Sequence, residues 1–325
     1  MVTPLLTCDD LVAAAAQPRS VWADEVVLVD LDAGGEAAPR TWDGGGRPGI
    51  VIGLTEVAAV HEHPAAALCD VVLARGDAIV ERVLEAAAAA PVAARALVVH
   101  MRAAPHATID DGLAAESAVY STLQAGPEFT SWLAARPPHA RRAEGEPIVV
   151  RRTGPVLDIT LNRPEVRNAL STAMRDALVE ALTLPALDPS IREVHLRGEG
   201  PSFCAGGDLN EFGTFPDPAT AHLLRLQQSV GRMIASVADR VTAHLHGACV
   251  GSGIELPAFA GRVIAEPATT ISLPELSLGL IPGAGGTVSI TRRIGRHRTT
   301  RLALTGEVLD AATALEWGLV DALEG

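Results

Sequence analysis

Val241-Thr242-Ala243-His244-Leu245-His246-Gly247-Ala248-Cys249-Val250-Gly251-Ser252-Gly253-Ile254-Glu255-Leu256 is the stretch from which the fold can be read. Residues 241–246 read as a short strand, the glycines as a tight turn, 253–260 as a helix and 262–265 as the next strand. The same alternation runs upstream. Ile148-Val149-Val150 and 156–161 read as strands joined by a turn at Thr153-Gly154-Pro155. A turn at Asn162-Arg163-Pro164 leads to a helix over about 171–182, with Ser171 as its N-cap, and then to a strand at 193–197. This is the rhythm of an α/β fold. The first 145 residues have a different texture, with Ala-rich helices at 77–90, 91–102 and 112–123 and strands at 26–30 and 49–53. Arg136-Pro137-Pro138 through Glu146-Pro147 reads as an exposed linker between the two parts.

Composition narrows the possibilities. Of 325 residues, 48% are hydrophobic and 20% charged, an ordinary globular balance, while aromatics are only 3%, so the core must be built from Ala, Val, Leu and Ile. The formal net charge of −13 argues against a nucleic-acid binder, which needs a basic footprint and stacking rings. All 26 basic residues are arginine. Without lysine there is no Schiff base and no P-loop ATPase. The four cysteines, Cys8, Cys69, Cys204 and Cys249, are scattered without a C-x-x-C pair, which predicts neither a metal site nor a disulfide framework. No signal peptide and no long charge-free apolar run are evident, so the expected location is the cytoplasm. His61-Glu62-His63 would place two histidines on one side of a strand, but a solvated turn before Pro64 is the favoured reading.

The candidate chemistry lies in three glycine-rich turns: Phe203-Cys204-Ala205-Gly206-Gly207-Asp208-Leu209, the turn 247–253, and Gly279-Leu280-Ile281-Pro282-Gly283-Ala284-Gly285-Gly286-Thr287. Glycines after a strand let backbone N–H groups approach a ligand, and a following helix N-terminus adds positive potential suited to a developing negative oxygen. None of them matches a dinucleotide-binding or P-loop pattern. Two carboxylates accompany the turns, Glu255 and Glu275, both in apolar surroundings that raise a glutamate's pKa. Taken alone, Glu255 is equally an acid placed for the helix dipole and Glu275 a surface-loop carboxylate. Cys249 and Ser252 are possible nucleophiles, but no histidine is placed to activate them.

Leu161-Asn162-Arg163-Pro164-Glu165-Val166-Arg167-Asn168-Ala169-Leu170-Ser171 resembles the opening signature of the enoyl-CoA hydratase/isomerase (crotonase) superfamily. The three turns resemble its other signatures, in order and at similar spacing, as do Leu304-Thr305-Gly306-Glu307 and Ala314-Leu315-Glu316-Trp317-Gly318-Leu319-Val320-Asp321. The resemblance covers about residues 148–325 and implies a crotonase-like ββα spiral core over 146–325. It implies that the backbone N–H groups of Gly207 and Ser252 form an oxyanion hole for a thioester, although the family usually has glycine where Ser252 stands. Glu255 and Glu275 match the glutamate pair of members that hydrate 2-enoyl-CoA, Glu255 activating water and Glu275 exchanging a proton at C2. Arg167, Ala169, Ala205 and Asp208 lie where the family lines its CoA pocket.

What the resemblance implies is thus an enoyl-CoA hydratase of fatty acid metabolism, a lyase with no metal and no cofactor beyond the CoA of its acyl-CoA thioester substrate. Interaction with nucleic acid or membrane is not expected, and a homo-oligomer, trimer or hexamer, is. Another enolate reaction (isomerase or dehydratase) and a non-catalytic acyl-CoA-binding partner subunit are the alternatives. Family members continue beyond the point that Gly325 matches, with a helical C-terminal segment. Here the regions 81–101 and 111–138 resemble that segment, and Cys69-Asp70-Val71-Val72-Leu73-Ala74 echoes the strand preceding it. Residues 1–145 therefore read as a degenerate crotonase-like repeat with displaced terminal helices, which would cover the second unit within the chain or from a neighbour.

Overall fold

The computed structural model describes residues 5–15, 26–33, 49–57, 63, 65–136 and 145–324. The N-terminal part opens with β1 (Leu5–Thr7), α1 (Cys8–Ala15), β2 (Val26–Asp30), β3 (Ile50–Thr55) and β4 (Val71–Ala74). These four strands form one parallel sheet in the order β1-β2-β3-β4. Both faces are covered. Val27, Val29, Val51 and Val72 pack with Cys8, Leu11 and Leu68 on one side, and Val26, Ile50, Ile52 and Leu73 join the main core on the other. Near-continuous apolar strands are what a parallel sheet buried on both faces requires. Four helices follow: α2 (Ile79–Ala89), α3 (Pro91–Ala103), α4 (Ile109–Gln124) and α5 (Pro127–Ala135). Pro91 and Pro127 sit at the starts of their helices, where a missing N–H costs nothing.

The second part begins with the hairpin β5 (Ile148–Thr153) and β6 (Val156–Leu161), then α6 (Thr172–Leu187), β7 (Glu193–Gly198), α7 (Pro218–Gln227), α8 (Val230–Ser236), β8 (Val241–Leu245) and β9 (Ala248–Val250). It closes with α9 (Ser252–Glu255), β10 (Arg262–Ala265), β11 (Thr270–Ser272), α10 (Gly286–Thr305), β12 (Leu309–Asp310), α11 (Ala311–Trp317) and β13 (Ala322–Leu323). The larger sheet runs β13-β10-β8-β7-β6-β5 and is parallel except for the β5–β6 hairpin, while β12-β11-β9 form a small second sheet. This mixed α/β architecture agrees with the expected fold class. The run β6-β7-β8-β10 repeats the sequential, all-parallel order of β1-β2-β3-β4.

Two expected elements differ in extent. The helix at 253–260 is only one α-turn, α9, because Pro257 has no N–H to continue the ladder and the chain tightens into a 3₁₀ turn at Pro257–Phe259. The helix from Ser171 runs on to Leu187, with Ser171 capping as expected by accepting from the Met174 N–H at 3.2 Å. Its extra turn buries Pro185. The linker lies outside the described residues over 137–144, as do His61 and Glu62. His63 accepts from the Ala65 N–H through Nδ1 at 3.2 Å.

One apolar core spans the two parts. Ile52 and Leu73 belong to the same buried cluster as Ile159, Leu196 and Ala243, with α10 packed between α2, α3 and α4 and the rest. Alanines on the inner faces, Ala87, Ala93 and Ala94, let these helices approach closely without aromatic filler. A buried ion pair reinforces the junction. Asp70, 2% exposed, accepts from Arg102 Nε at 2.9 Å and Nη2 at 2.8 Å, and from the Val51 N–H at 2.9 Å, with Arg296 of α10 at 3.7 Å. Fork-to-fork pairing of this kind is the strong form of a charged hydrogen bond.

Candidate active site

The first two glycine turns follow the strands β7 and β8, the third follows a 3₁₀ turn at Glu275–Leu278, and all three reach a cavity of about 210 Å³. The first turn, after β7, is anchored by Asn168, which is fully buried. Its Oδ1 accepts from the Arg163 N–H at 2.8 Å, and its Nδ2 donates to the carbonyls of Glu199, Ser202 and Phe203 at 2.8–3.1 Å. Leu170 and Asp208 then exchange backbone bonds across the turn, Leu170 N–H to Gly206 O and Asp208 N–H to Leu170 O. Gly207 between them donates to no acceptor among the described residues, and it lines the cavity.

The second turn delivers Ser252, whose N–H is likewise left over at the first position of α9. Gly251 before it has φ +51° and ψ −119°, a backbone conformation for which glycine is suited. A Cβ there would also collide with Oε1 of Glu275. Gly207 and Ser252, whose N–H groups have no acceptor among the described residues, thus line one cavity from different elements. The Ser252 hydroxyl lies 3.8 Å from Cys204 Sγ, and no histidine lines the cavity.

The carboxylates are held in contrasting ways. Glu255, 2% exposed, accepts through Oε2 from the N–H groups of Ala284 at 2.8 Å and Gly286 at 2.9 Å. Burial pushes its pKa up to about 7 against the pull of those donors. Glu275 follows Pro274, and its Oε2 is buried with no hydrogen-bond partner among the described residues. Burial, together with the charge of Glu255, raises its pKa well above the usual carboxylate range. The two N–H donors favour the Glu255 anion against its burial, whereas Glu275, with Oε2 lacking a partner among the described residues, is driven further toward the neutral acid.

A third carboxylate, which the sequence reading passed over, completes the cluster. Glu116 of α4 is 2% exposed and accepts from the Gly285 N–H at 2.7 Å, and from Thr287 through its N–H at 2.9 Å and its hydroxyl at 2.7 Å. Burial and then the charge of Glu255 push its pKa up to about 8. Because the Thr287 hydroxyl donates to Glu116, it accepts from His100 Nε2 at 2.8 Å, an assignment that follows from the network. Burial lowers the His100 pKa to about 4, so that ring is neutral. Tyr120, one helical turn beyond Glu116, packs so closely on Gly283 that no side chain fits there. The available signal was a carboxylate on the same face of α4 as Leu113 and Tyr120. The 112–135 region therefore covers the third turn from within the same chain.

The four residues matched to CoA binding divide. Arg167, Ala169 and Ala205 cluster behind the first turn, where Ala205 N–H donates to Arg167 O at 2.9 Å, and they do not line the cavity. Asp208 does line it, but its Oδ2 is paired with Arg163 at 2.9 Å. Among the described residues no group of three His, Cys, Asp or Glu side chains is arranged to hold a metal ion.

Comparison with known proteins matches residues 151–324 to a family model described as enoyl-CoA hydratase/isomerase. The chain is 36% identical over 173 residues to 2,3-dehydroadipyl-CoA hydratase of Escherichia coli, a match covering 53% of this chain and 67% of the relative. Among solved structures, it is similar to enoyl-CoA hydratase from Thermoplasma volcanium, with TM-score 0.52 and 33% identity, covering 55% of this chain and 72% of that one. It is also similar to enoyl-CoA hydratase from Bacillus anthracis, with TM-score 0.51 and 34% identity, covering 55% and 70%.

Proposed function

Since the chain belongs to the enoyl-CoA hydratase/isomerase (crotonase) family, we propose that within it this protein is a hydratase, adding water across the C2–C3 double bond of a 2-enoyl-CoA thioester. The observation that carries this reading is the contrast between Glu255, whose carboxylate is fed by two N–H donors, and Glu275, which has a buried oxygen without any. Hydration needs one base and one acid on the same substrate, and their environments push the two groups apart in just that way.

In this reading the thioester oxygen sits between the N–H groups of Gly207 and Ser252. Water, positioned by Glu255, bonds to C3 while its proton passes to that carboxylate. The π electrons move through C2 to the thioester oxygen, where the two N–H groups meet the new charge. Loss of one such donor costs roughly 2.7–4 kcal/mol in comparable sites. Glu275 then gives its proton to C2, and the enolate collapses to the 3-hydroxyacyl thioester. The step is redox-neutral. Arg167, Ala169 and Ala205 are proposed to line the CoA approach, with Asp208 at its inner end. The repeated strand order further supports reading residues 1–145 as a degenerate copy of the crotonase unit whose helices now serve the intact one.

The test is to follow loss of the conjugated-thioester absorbance with 2-enoyl-CoA substrates for wild type and Glu275→Gln. Wild-type turnover that drops by about 10²–10⁴-fold in the variant is expected for removal of a general acid. Binding of the thioester with no loss of absorbance would move the assignment to another enolate reaction or to a non-catalytic partner.

A further inference from the structure

One charged group in the cavity has no part in the chemistry above. Arg225, on α7 between the first and second turns, lines the cavity, its guanidinium 4.8 Å over the ring of Tyr120. Tyr120 in turn packs on Gly283, so a single ring separates this cation from the turn that holds Glu255. A guanidinium carries five N–H donors. Nε donates to Ser117 Oγ at 3.0 Å, Nη1 to Gln124 Oε1 at 3.3 Å, and Nη2 to Ser121 Oγ and to Ser117 O, the latter at 3.5 Å. All four acceptors are uncharged, and the fifth N–H, on Nη1, has no acceptor among the described residues.

The nearby carboxylates are engaged elsewhere. Glu116 is taken up by Gly285 and Thr287, and Glu211 Oε2 by Thr172 at 2.6 and 2.7 Å. A second cation, Arg175, also lines the cavity, and among the described residues its ion pair is with its exposed neighbour Asp176. The Arg225 guanidinium has lost solvation and, among the described residues, hydrogen-bonds to neutral acceptors, with the charge of Glu116 nearby but no ion pair formed to it. A plain alkyl chain drawn against it would remove more water and return nothing.

We propose that the acyl group accepted here ends in a carboxylate bound by Arg225, which makes the substrate the CoA monothioester of a 2-enedioic acid. The inference rests on the hydratase reading and adds the substrate class. A charge-assisted hydrogen bond forms at the open Nη1 N–H, and the terminal carboxylate supplies the counter-charge.

The experiment compares two 2-enoyl-CoA substrates of equal length, one ending in a free carboxylate and one in its methyl ester. Wild type is expected to favour the carboxylate in kcat/KM by about 10–100-fold, the usual worth of a hydrogen bond to a charged group. In Arg225→Gln that ratio should fall to near one, and Arg225→Lys should restore part of it. A wild type that turns over the ester as well as the acid overturns the proposal. So does an equal loss on both substrates in Arg225→Gln, which would mark Arg225 as a strut between α4 and α7. If neither substrate turns over, the hydratase reading fails, and calorimetric titration with the saturated acid-ended and ester-ended acyl-CoA decides the carboxylate site separately. Preference for the acid keeps the site, and equal affinity removes it.

Discussion

Glu275 occupies a position that favours catalysis over stability. Its folded-state pKa is raised by burial and by Glu255 above its ordinary 4.5. The folded protein therefore holds a proton that the unfolded chain releases, and stability present below pH 4.5 is lost as pH rises through the folded value. Glu275→Gln keeps the shape and removes the titration. Its Tm is expected to match wild type near pH 4.5 and to exceed it by a margin that grows at pH 6 and 8, measured by thermal melts across that range. A margin independent of pH would contradict the assignment. Glu255 and Glu275 were singled out in the sequence because they accompany the glycine turns and match the glutamate pair of the family the chain resembles, not because either stands out alone. Glu116 was not, since the contact that makes it part of the site joins residues 169 apart in the chain. Arg225 was hidden for a related reason: only the packing of α7 on α4 shows that its partners are neutral.

At the scale of elements, α4 is the cover of the site, and its start is fixed by one side chain. Thr108 accepts from the Asp111 N–H at 3.1 Å and donates to Asp111 Oδ2 at 2.7 Å. Thr108→Ala is expected to cost about 1 kcal/mol, read as a lower urea midpoint at unchanged slope. Helices this regular were visible from their apolar spacing and their caps, and the strands of the large sheet from short apolar runs between turns. The helix expected at 253–260 is too long because Pro257 reads as a harmless first-turn proline, whereas α9 ends at Glu255 and Pro257 opens a 3₁₀ turn. The burial of residues 253–260 comes from their neighbours and not from helical periodicity.

For the whole molecule, the boundary near residue 145 marks a change of sequence texture and not a gap in packing. Asp70 and Arg102 tie the N-terminal sheet to α3, and Arg296 brings α10 to the same carboxylate. Asp70→Ala leaves a largely buried guanidinium with the Gly49 carbonyl in place of its carboxylate. A loss of about 3 kcal/mol is expected, the low end for breaking a buried pair because Arg102 is 22% exposed. Unfolding should stay a single transition if the core is one unit, and two separated transitions would show that the parts are held independently.

The order in which the chain presents these pieces has a consequence for how it is made. Glu116 leaves the ribosome before the Gly285 amide it will bond, by 169 residues. At elongation rates of about 5–20 residues per second that interval is roughly 8–34 s. Throughout it the inner faces of α2, α3 and α4 have no α10 to pack on, and native contacts of such long range form slowly in any case. The lid, an alanine-rich helical surface, is thus made before the vessel it closes and must be kept from sticking to its neighbours until the rest has been synthesised.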